Sequence, residues 1–339
     1  MSARRRRTKR TTAPKRGRPA KAAPRRAREA RPPAIRPPAG AERPPPDRGH
    51  LLTEQRNPRT ANLHTLTVAE IVTLMNREDE AVANAVAHAL PDIAAFIRET
   101  EAFFVPEPPA REDPAMYPGR LIYLGAGTSG RLGVLDASEA PPTFHVPHGR
   151  IVGIIAGGDA ALRRSSEGAE DDPSGAADEL GRLNLSIADA VVGIAAGGTT
   201  PYVLGALRIA KGYGARTALI TCARVPRPPA CDHLIVLPTG PEVIAGSTRM
   251  KAGSATKMAL NIISTALMIR AGRVRGNLMI DLRATNDKLR DRAARIIATV
   301  TGLPRDQALA ALDASGGSAR AAIERFEHEQ ARGTGRSAR

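Results

Sequence analysis

Seven residues in the first half of the chain, Gly125-Ala-Gly-Thr-Ser-Gly-Arg131, follow the apolar run Leu121–Leu124 and lead into an apolar helical pattern. Gly125, Gly127 and Gly130 match G-x-G-x-x-G, a spacing that lets backbone N–H groups reach a phosphate at a helix N-terminus. Such a loop can serve a dinucleotide, the phosphate of a small molecule, or nothing more than a tight turn. A dinucleotide site asks for an acid about 20 residues on to hold the ribose hydroxyls. Asp159 stands 29 residues after Gly130, behind two glycines, and fits that role poorly. Thr128 and Ser129 instead offer hydroxyls that suit a terminal phosphate. A second loop, Gly197-Gly-Thr-Thr200, also follows an apolar run and has no task in a simple dinucleotide site. No P-loop lysine is present, which disfavours nucleotide hydrolysis. The residues favour a phosphorylated small molecule.

The elements that position these loops follow from the apolar runs. Strands are predicted at 120–124, 150–156, 190–195, 217–221 and 234–237, alternating with helices from Arg131, over about 160–170 and from Pro201. Short apolar strands alternating with helices make a parallel sheet covered on both faces, a doubly wound α/β fold. Ligands in such sheets lie beyond the carboxyl ends of the strands, where both loops fall. Upstream, Thr67 and Glu70 form a capping box for a helix with Leu66, Ile71, Leu74 and Met75 on its apolar face. A second helix over about 81–103 should be kinked or broken at Pro91. Residues 106–118 form a Pro-rich linker. Downstream, helices are expected over 247–269, over 277–300 after an initial turn, and over 304–326 around a turn at Gly316-Gly317, with 330–339 frayed.

The formal charge of +16 is unevenly placed. Residues 1–50 hold 17 Lys and Arg against Glu29, Glu42 and Asp47, or +14, which leaves +2 for the rest. That Arg/Pro-rich segment has no apolar period and is expected to be a disordered tail. Within it Pro14-Lys-Arg-Gly-Arg-Pro19 resembles the AT-hook, a peptide of the A·T minor groove, so residues 4–31 are the candidate nucleic-acid contact. The aromatic content of 3% with no Trp argues against an aromatic nucleic-acid platform. Cys222 and Cys231 have neither zinc nor disulfide spacing and read as thiols of a reducing compartment. No apolar run approaches the roughly 20 residues of a membrane span, and there is no secretory h-region, so a cytoplasmic protein is expected.

The stretch from Leu121 to Pro142, with its glycine loop and Asp136-Ala-Ser-Glu-Ala-Pro-Pro142, closely resembles the N-acetylmuramic acid 6-phosphate etherases. These are sugar isomerase (SIS) domain proteins related to the glucokinase regulatory protein. The resemblance extends through Thr53–Pro58, Ser166–Asp171, Gly240–Gly253, Gly276–Asp281 and Ala284–Leu289, covering roughly residues 51–328. It implies a SIS-type sheet, residues 51–300 with the N-terminal helices, and a small helical, UBA-like piece at 301–329. It also implies homodimerisation and no metal or other cofactor. The reaction implied is cleavage of the C3 lactyl ether of the sugar phosphate. Elimination and water addition give N-acetylglucosamine 6-phosphate and D-lactate, a step of cell-wall amino-sugar recycling. Carried over by motif, Glu139 is the proton donor to departing lactate and Glu170 the second catalytic carboxylate and candidate C2 base, with the choice of which Glu removes that proton left open. Gly127, Thr128, Ser129, Gly130, Arg131, Gly197, Gly198, Thr199, Thr200, Glu242, Ser247 and Lys251 are the implied substrate-binding set.

Glu139 lies nine residues past Gly130, about 14 Å along an unbroken helix at ~1.5 Å per residue. Either the helix ends early, near Asp136, or Glu139 serves a site shared with a second subunit. Two stretches depart from the family pattern. The second loop usually reads Ser-Gly-Arg-Thr where this chain has Gly197–Thr200, and Cys222-Ala-Arg-Val-Pro226 replaces Cys-Asn-Pro-Gly-Ser. The alternative function these departures admit is a phosphosugar-binding regulator with a nucleic-acid-binding tail.

Overall fold

The computed structural model describes residues 48–105, 119–164 and 166–336, apart from the side chains of Glu167 and of 333–336. The expected basic tail, its AT-hook-like hexamer, the nucleic-acid contact at 4–31 and the linker at 106–118 lie outside the described residues, Arg48–His50 at the tail's end excepted.

Five parallel strands carry the fold: β1 (Leu121–Gly125), β2 (Ile151–Ile155), β3 (Ala190–Ile194), β4 (Arg216–Thr221) and β5 (His233–Val236), in the order β2-β1-β3-β4-β5. Strand alternation sends Leu121 and Tyr123 to one face and Ile122 and Leu124 to the other, and all four are fully buried. The first face is covered by α1 (Val68–Phe104), α2 (Gly127–Phe144) and α6 (Lys251–Arg270), through Phe96, Ala140 and Leu260. The second is covered by α4 (Ala177–Arg182) and α5 (Pro201–Gly212), through Leu180, Val203 and Leu207. Each fully buried Leu, Ile, Val or Phe contributes about 1.5–3 kcal/mol, so these two layers hold the sheet in place. The doubly wound sheet is as expected.

A third core joins Leu282, ahead of α7, to Ile297, Leu312 and Ile323 of α7 (Asp287–Thr301), α8 (Arg305–Ala314) and α9 (Ala319–Arg336). The turn between α8 and α9 contains Gly316 and Gly317, both at positive φ. Helix α9 runs to Arg336, past the point where fraying was expected.

Four local expectations need correction. Helix α1 is one 37-residue helix that contains Pro91; Pro91 sits on its exposed side, and the neighbouring Ala89 and Ile93 are buried in the sheet-facing core. The capping box at its start is present, with Glu70 accepting from the Thr67 N–H at 2.8 Å. The helix expected over 160–170 is only a four-residue α3 (Ala160–Arg163) followed by a 3-10 turn at Glu167–Ala169. A short hairpin, β6 (Val274–Arg275) and β7 (Leu278–Met279), stands where only a turn was expected. Helix α2 does not end near Asp136 but continues through Pro141 and Pro142 to Phe144.

Candidate active site

A polar cleft of about 180 Å³ opens at the carboxyl ends of β1 and β3. These neighbours mark the point where the chain order reverses: β1 continues through α2 to β2 on one side, and β3 through α5 to β4 on the other. Open α/β sheets bind ligands at such a crevice. One wall is Ala126 and Ser129 of the first loop, the opposite wall Gly197, Thr199 and Thr200 of the second. Glu170 and Asp171 form a third side. Arg48, Thr53 and Glu54 close over it, facing Gly246 and Thr248.

The first wall is built to hold an anion. Helix α2 begins with no side-chain cap on its N-cap residue Ala126, so the first-turn N–H groups of Gly127, Thr128 and Ser129 have no intrahelical acceptor. Their dipoles and the helix end favour negative charge there. Gly127 takes φ +54°, which a side chain would strain. Gly130 is required for close approach, since a Cβ there would lie 2.5 Å from the Gly125 carbonyl oxygen. The second loop turns on Gly198 at φ +72°, whose N–H donates to the Ala195 carbonyl at 2.8 Å.

Glu170 is fixed by its own backbone. Its carbonyl accepts the Tyr202 N–H in the first turn of α5 at 3.0 Å, tying the acid to the helix that follows the second loop. The strap beyond it is pressed on α5 so closely that a Cβ on Gly205 would meet the Pro173 carbonyl oxygen at 1.7 Å. Gly205→Ala must therefore push the strap, and with it Glu170, away from the cleft. The expected result is a drop in kcat of at least about tenfold, short of the roughly hundredfold that a misplacement of ~1 Å can cost. A crystal structure showing Pro173 displaced would confirm the cause; full activity would refute it.

Comparison with known proteins now bears on this cleft. The model of the glucokinase regulatory protein N-terminal SIS domain matches residues 110–211, which span both loops and Glu170. The N-acetylmuramic acid 6-phosphate etherase of Gloeobacter violaceus is 54% identical over 272 residues, covering 80% of this chain and 85% of the relative. That of Edwardsiella ictaluri is 51% identical over 274 residues, with 80% and 88% covered. The chain belongs to the N-acetylmuramic acid 6-phosphate etherase family. Etherase 1 of Bacillus licheniformis, at 48% identity over 276 residues, is related over 81% of this chain and 87% of its own.

Set against this etherase frame, the residues carried over by motif divide into two groups. Ser129, Gly197, Thr199, Thr200 and Glu170 line the cleft, and Gly127, Thr128, Gly130 and Gly198 shape its loops. Arg131 does not face it: its guanidinium donates to the Ala161 and Leu162 carbonyls at 2.7 and 3.0 Å and clamps α3. Glu242 is buried, accepting the Lys251 and Ala252 N–H groups at 3.0 and 2.9 Å, and so caps α6. Burial raises its carboxyl above the ordinary range, and those two N–H groups pull it back. The Lys251 ammonium is fully buried against Glu78 at 2.8 Å. Ser247 shapes the loop beside the cleft, its carbonyl accepting the Met250 N–H, while its neighbours Gly246 and Thr248 do the lining.

Glu139 lies elsewhere. It is exposed on the second half of α2, in a separate cleft of about 790 Å³ facing Met279 of β7 and Arg292 and Arg295 of α7. Because α2 is unbroken, ten residues separate it from Ser129, or about 15 Å. Reasoning from sequence missed Arg48 and Glu54 as lining residues. The only available signal was that Glu54 belongs to the Thr53–Pro58 motif. Burial pushes the Cys222 and Cys231 thiols up to about 12 and about 11, so neither is a ready nucleophile. Among the described residues no group of three His, Cys, Asp or Glu side chains is placed to hold a metal. No described helix is long and apolar enough to cross a membrane.

Proposed function

We propose that the chain cleaves the D-lactyl ether of N-acetylmuramic acid 6-phosphate, yielding N-acetylglucosamine 6-phosphate and D-lactate. The observation that carries this reading is a carboxylate, Glu170, held in one polar cleft with the uncapped N-terminus of α2. The helix end receives the 6-phosphate through the N–H groups of Gly127–Ser129 and the Ser129 hydroxyl. Once the sugar ring opens, the C2 proton lies α to an aldehyde and is acidic enough for a carboxylate to remove. Glu170 takes that proton. The electron pair forms the C2–C3 double bond and expels the lactate oxygen from C3, which a general acid protonates. Water then adds to C3, and C2 regains a proton. The same chemistry places the protein in the recycling of cell-wall amino sugars, and its two free cysteines suit a reducing cytoplasm.

The general acid is Glu139 of a second copy of the chain. Within one chain the unbroken α2 keeps Glu139 out of the cleft, while its exposure leaves it free to enter another subunit's site. We therefore read the active unit as a homodimer. Lactate release from the 6-phosphate sugar by the purified protein tests the reaction itself; tight binding with no lactate would instead favour a regulatory phosphosugar sensor. Mixing inactive Glu139→Gln and Glu170→Gln proteins tests the shared site. Subunit exchange should restore about a quarter of wild-type activity, because half of the dimers then carry one intact site of two. Silence of every mixture, with exchange verified by mass, would place both acids in one subunit.

A further inference from the structure

Beside the cleft is a larger cavity, about 490 Å³, that the reaction derived above does not use. Leu51 and Thr199 line both, so only the second loop and the segment crossing it separate the two spaces. Its wall is largely apolar, with Leu51, Leu204 and Val225, and at its edge stands Arg224, exposed at the end of β4. Two other arginines at the sheet are occupied, Arg120 by Asp189 and Arg131 by the α3 carbonyls, while Arg48 stands over the cleft itself. Arg224 has no hydrogen bond or ion pair among the described residues.

We propose that this cavity receives the lactyl arm of the substrate, with Arg224 pairing the arm's carboxylate and its methyl group lying against Leu51 and Val225. The proposal rests on the etherase reading of the cleft. That substrate carries two anions, the phosphate at C6 and the lactyl carboxylate at C3, and they need separate partners. The α2 N-terminus serves the first. The second requires a cation beside a small apolar surface, and Arg224 lies at the edge of such a surface, in a cavity that shares Leu51 and Thr199 with the cleft. A guanidinium also matches a carboxylate in two parallel hydrogen bonds, which fixes the arm's orientation as well as its charge. Val225 is seated by the second loop itself, since a Cβ on Gly198 would lie 2.9 Å from both its methyl groups. The arginine thus stands on a loop locked to the cleft wall.

The test compares ligands with and without the arm. In the full-length protein, Arg224→Gln should raise KM for N-acetylmuramic acid 6-phosphate on the order of ten- to hundredfold, the scale of one hydrogen bond to a charged group. Binding of N-acetylglucosamine 6-phosphate, which lacks the arm, should be unchanged, and inhibition by free D-lactate should disappear. Leu204→Phe, which fills the cavity without touching the charge, should likewise weaken only the lactyl sugar. Equal weakening of both sugars by Arg224→Gln would overturn the proposal, as would no change in either. If the wild type releases no lactate, the etherase reading fails. Calorimetric binding of the two sugars then still shows whether Arg224 distinguishes them.

Discussion

Glu170→Gln is expected to lower lactate release on the order of a thousandfold while leaving affinity for the sugar phosphate within about threefold, as loss of a general base predicts. The amide keeps the size and backbone anchor of the acid, because the Tyr202 N–H bonds the carbonyl of residue 170 and not its side chain. What it loses is the ability to accept a proton. Phosphate recognition belongs to the α2 N-terminus and survives. The sharper readout is isotopic: in D₂O the wild type should exchange the C2 hydrogen, and the variant should not. Asp171 shares the cleft but not that anchor, so Asp171→Asn should cost no more than about tenfold. A Glu170→Gln enzyme that retained a tenth of wild-type kcat, or still exchanged C2, would falsify its assignment as the base.

How much of this was legible in the chain depended on what each residue answers to. The strands were, because a run such as Leu121–Leu124 buried on both faces leaves few other structures open to it. So were the capping box at Thr67 and the glycine loop, since each is a local motif with a local cause. Pro91 was misread because the rule that proline breaks helices is local, whereas Ala89, Ile93 and Phe96 hold α1 to the sheet from outside. Helix α2 outlasted its expected end for the same reason: Ala137, Ala140 and Phe144 continue its buried face beyond Asp136. In the site, a motif singled out Arg131, Glu242 and Lys251 without showing what they touch. Each holds a loop or a helix in position, and an arginine that clamps α3 looks identical in sequence to one that binds phosphate. Arg48 and Arg224 were invisible as cavity-lining residues, because only the folded chain brings them beside the second loop.

The largest stability effect is expected at Glu78, which sits at the centre of a buried network linking three parts of the chain. Its carboxylate accepts from the Lys251 ammonium of α6 at 2.8 Å, from the Asn57 amide at 2.8 Å, and from the Arg59 guanidinium. Arg59 first, then Lys251 and Asn57, hold its carboxyl down at about 2 against the opposing pull of burial. Glu78→Gln leaves the fully buried Lys251 without its ion-pair partner, which costs about 3–5 kcal/mol, or roughly 5–10 °C in Tm. Adding Lys251→Met removes the orphaned ammonium and should recover at least about half of that loss. The pH dependence has a definite sign. A depressed carboxyl contributes its stability in full above its unfolded value of 4.5 and loses it as pH falls toward 2. Urea midpoints of wild type and Glu78→Gln should therefore converge through that window and stay apart above it. Function should follow, because Asn57 and Arg59 belong to the segment that carries Thr53 and Glu54 over the cleft. With that segment loosened, KM rises more than kcat falls, the mark of a positioning residue and not a catalytic one. Parallel urea curves at every pH, or a variant as stable as wild type, would show that Arg59 alone neutralises Glu78 and that the buried lysine finds another partner.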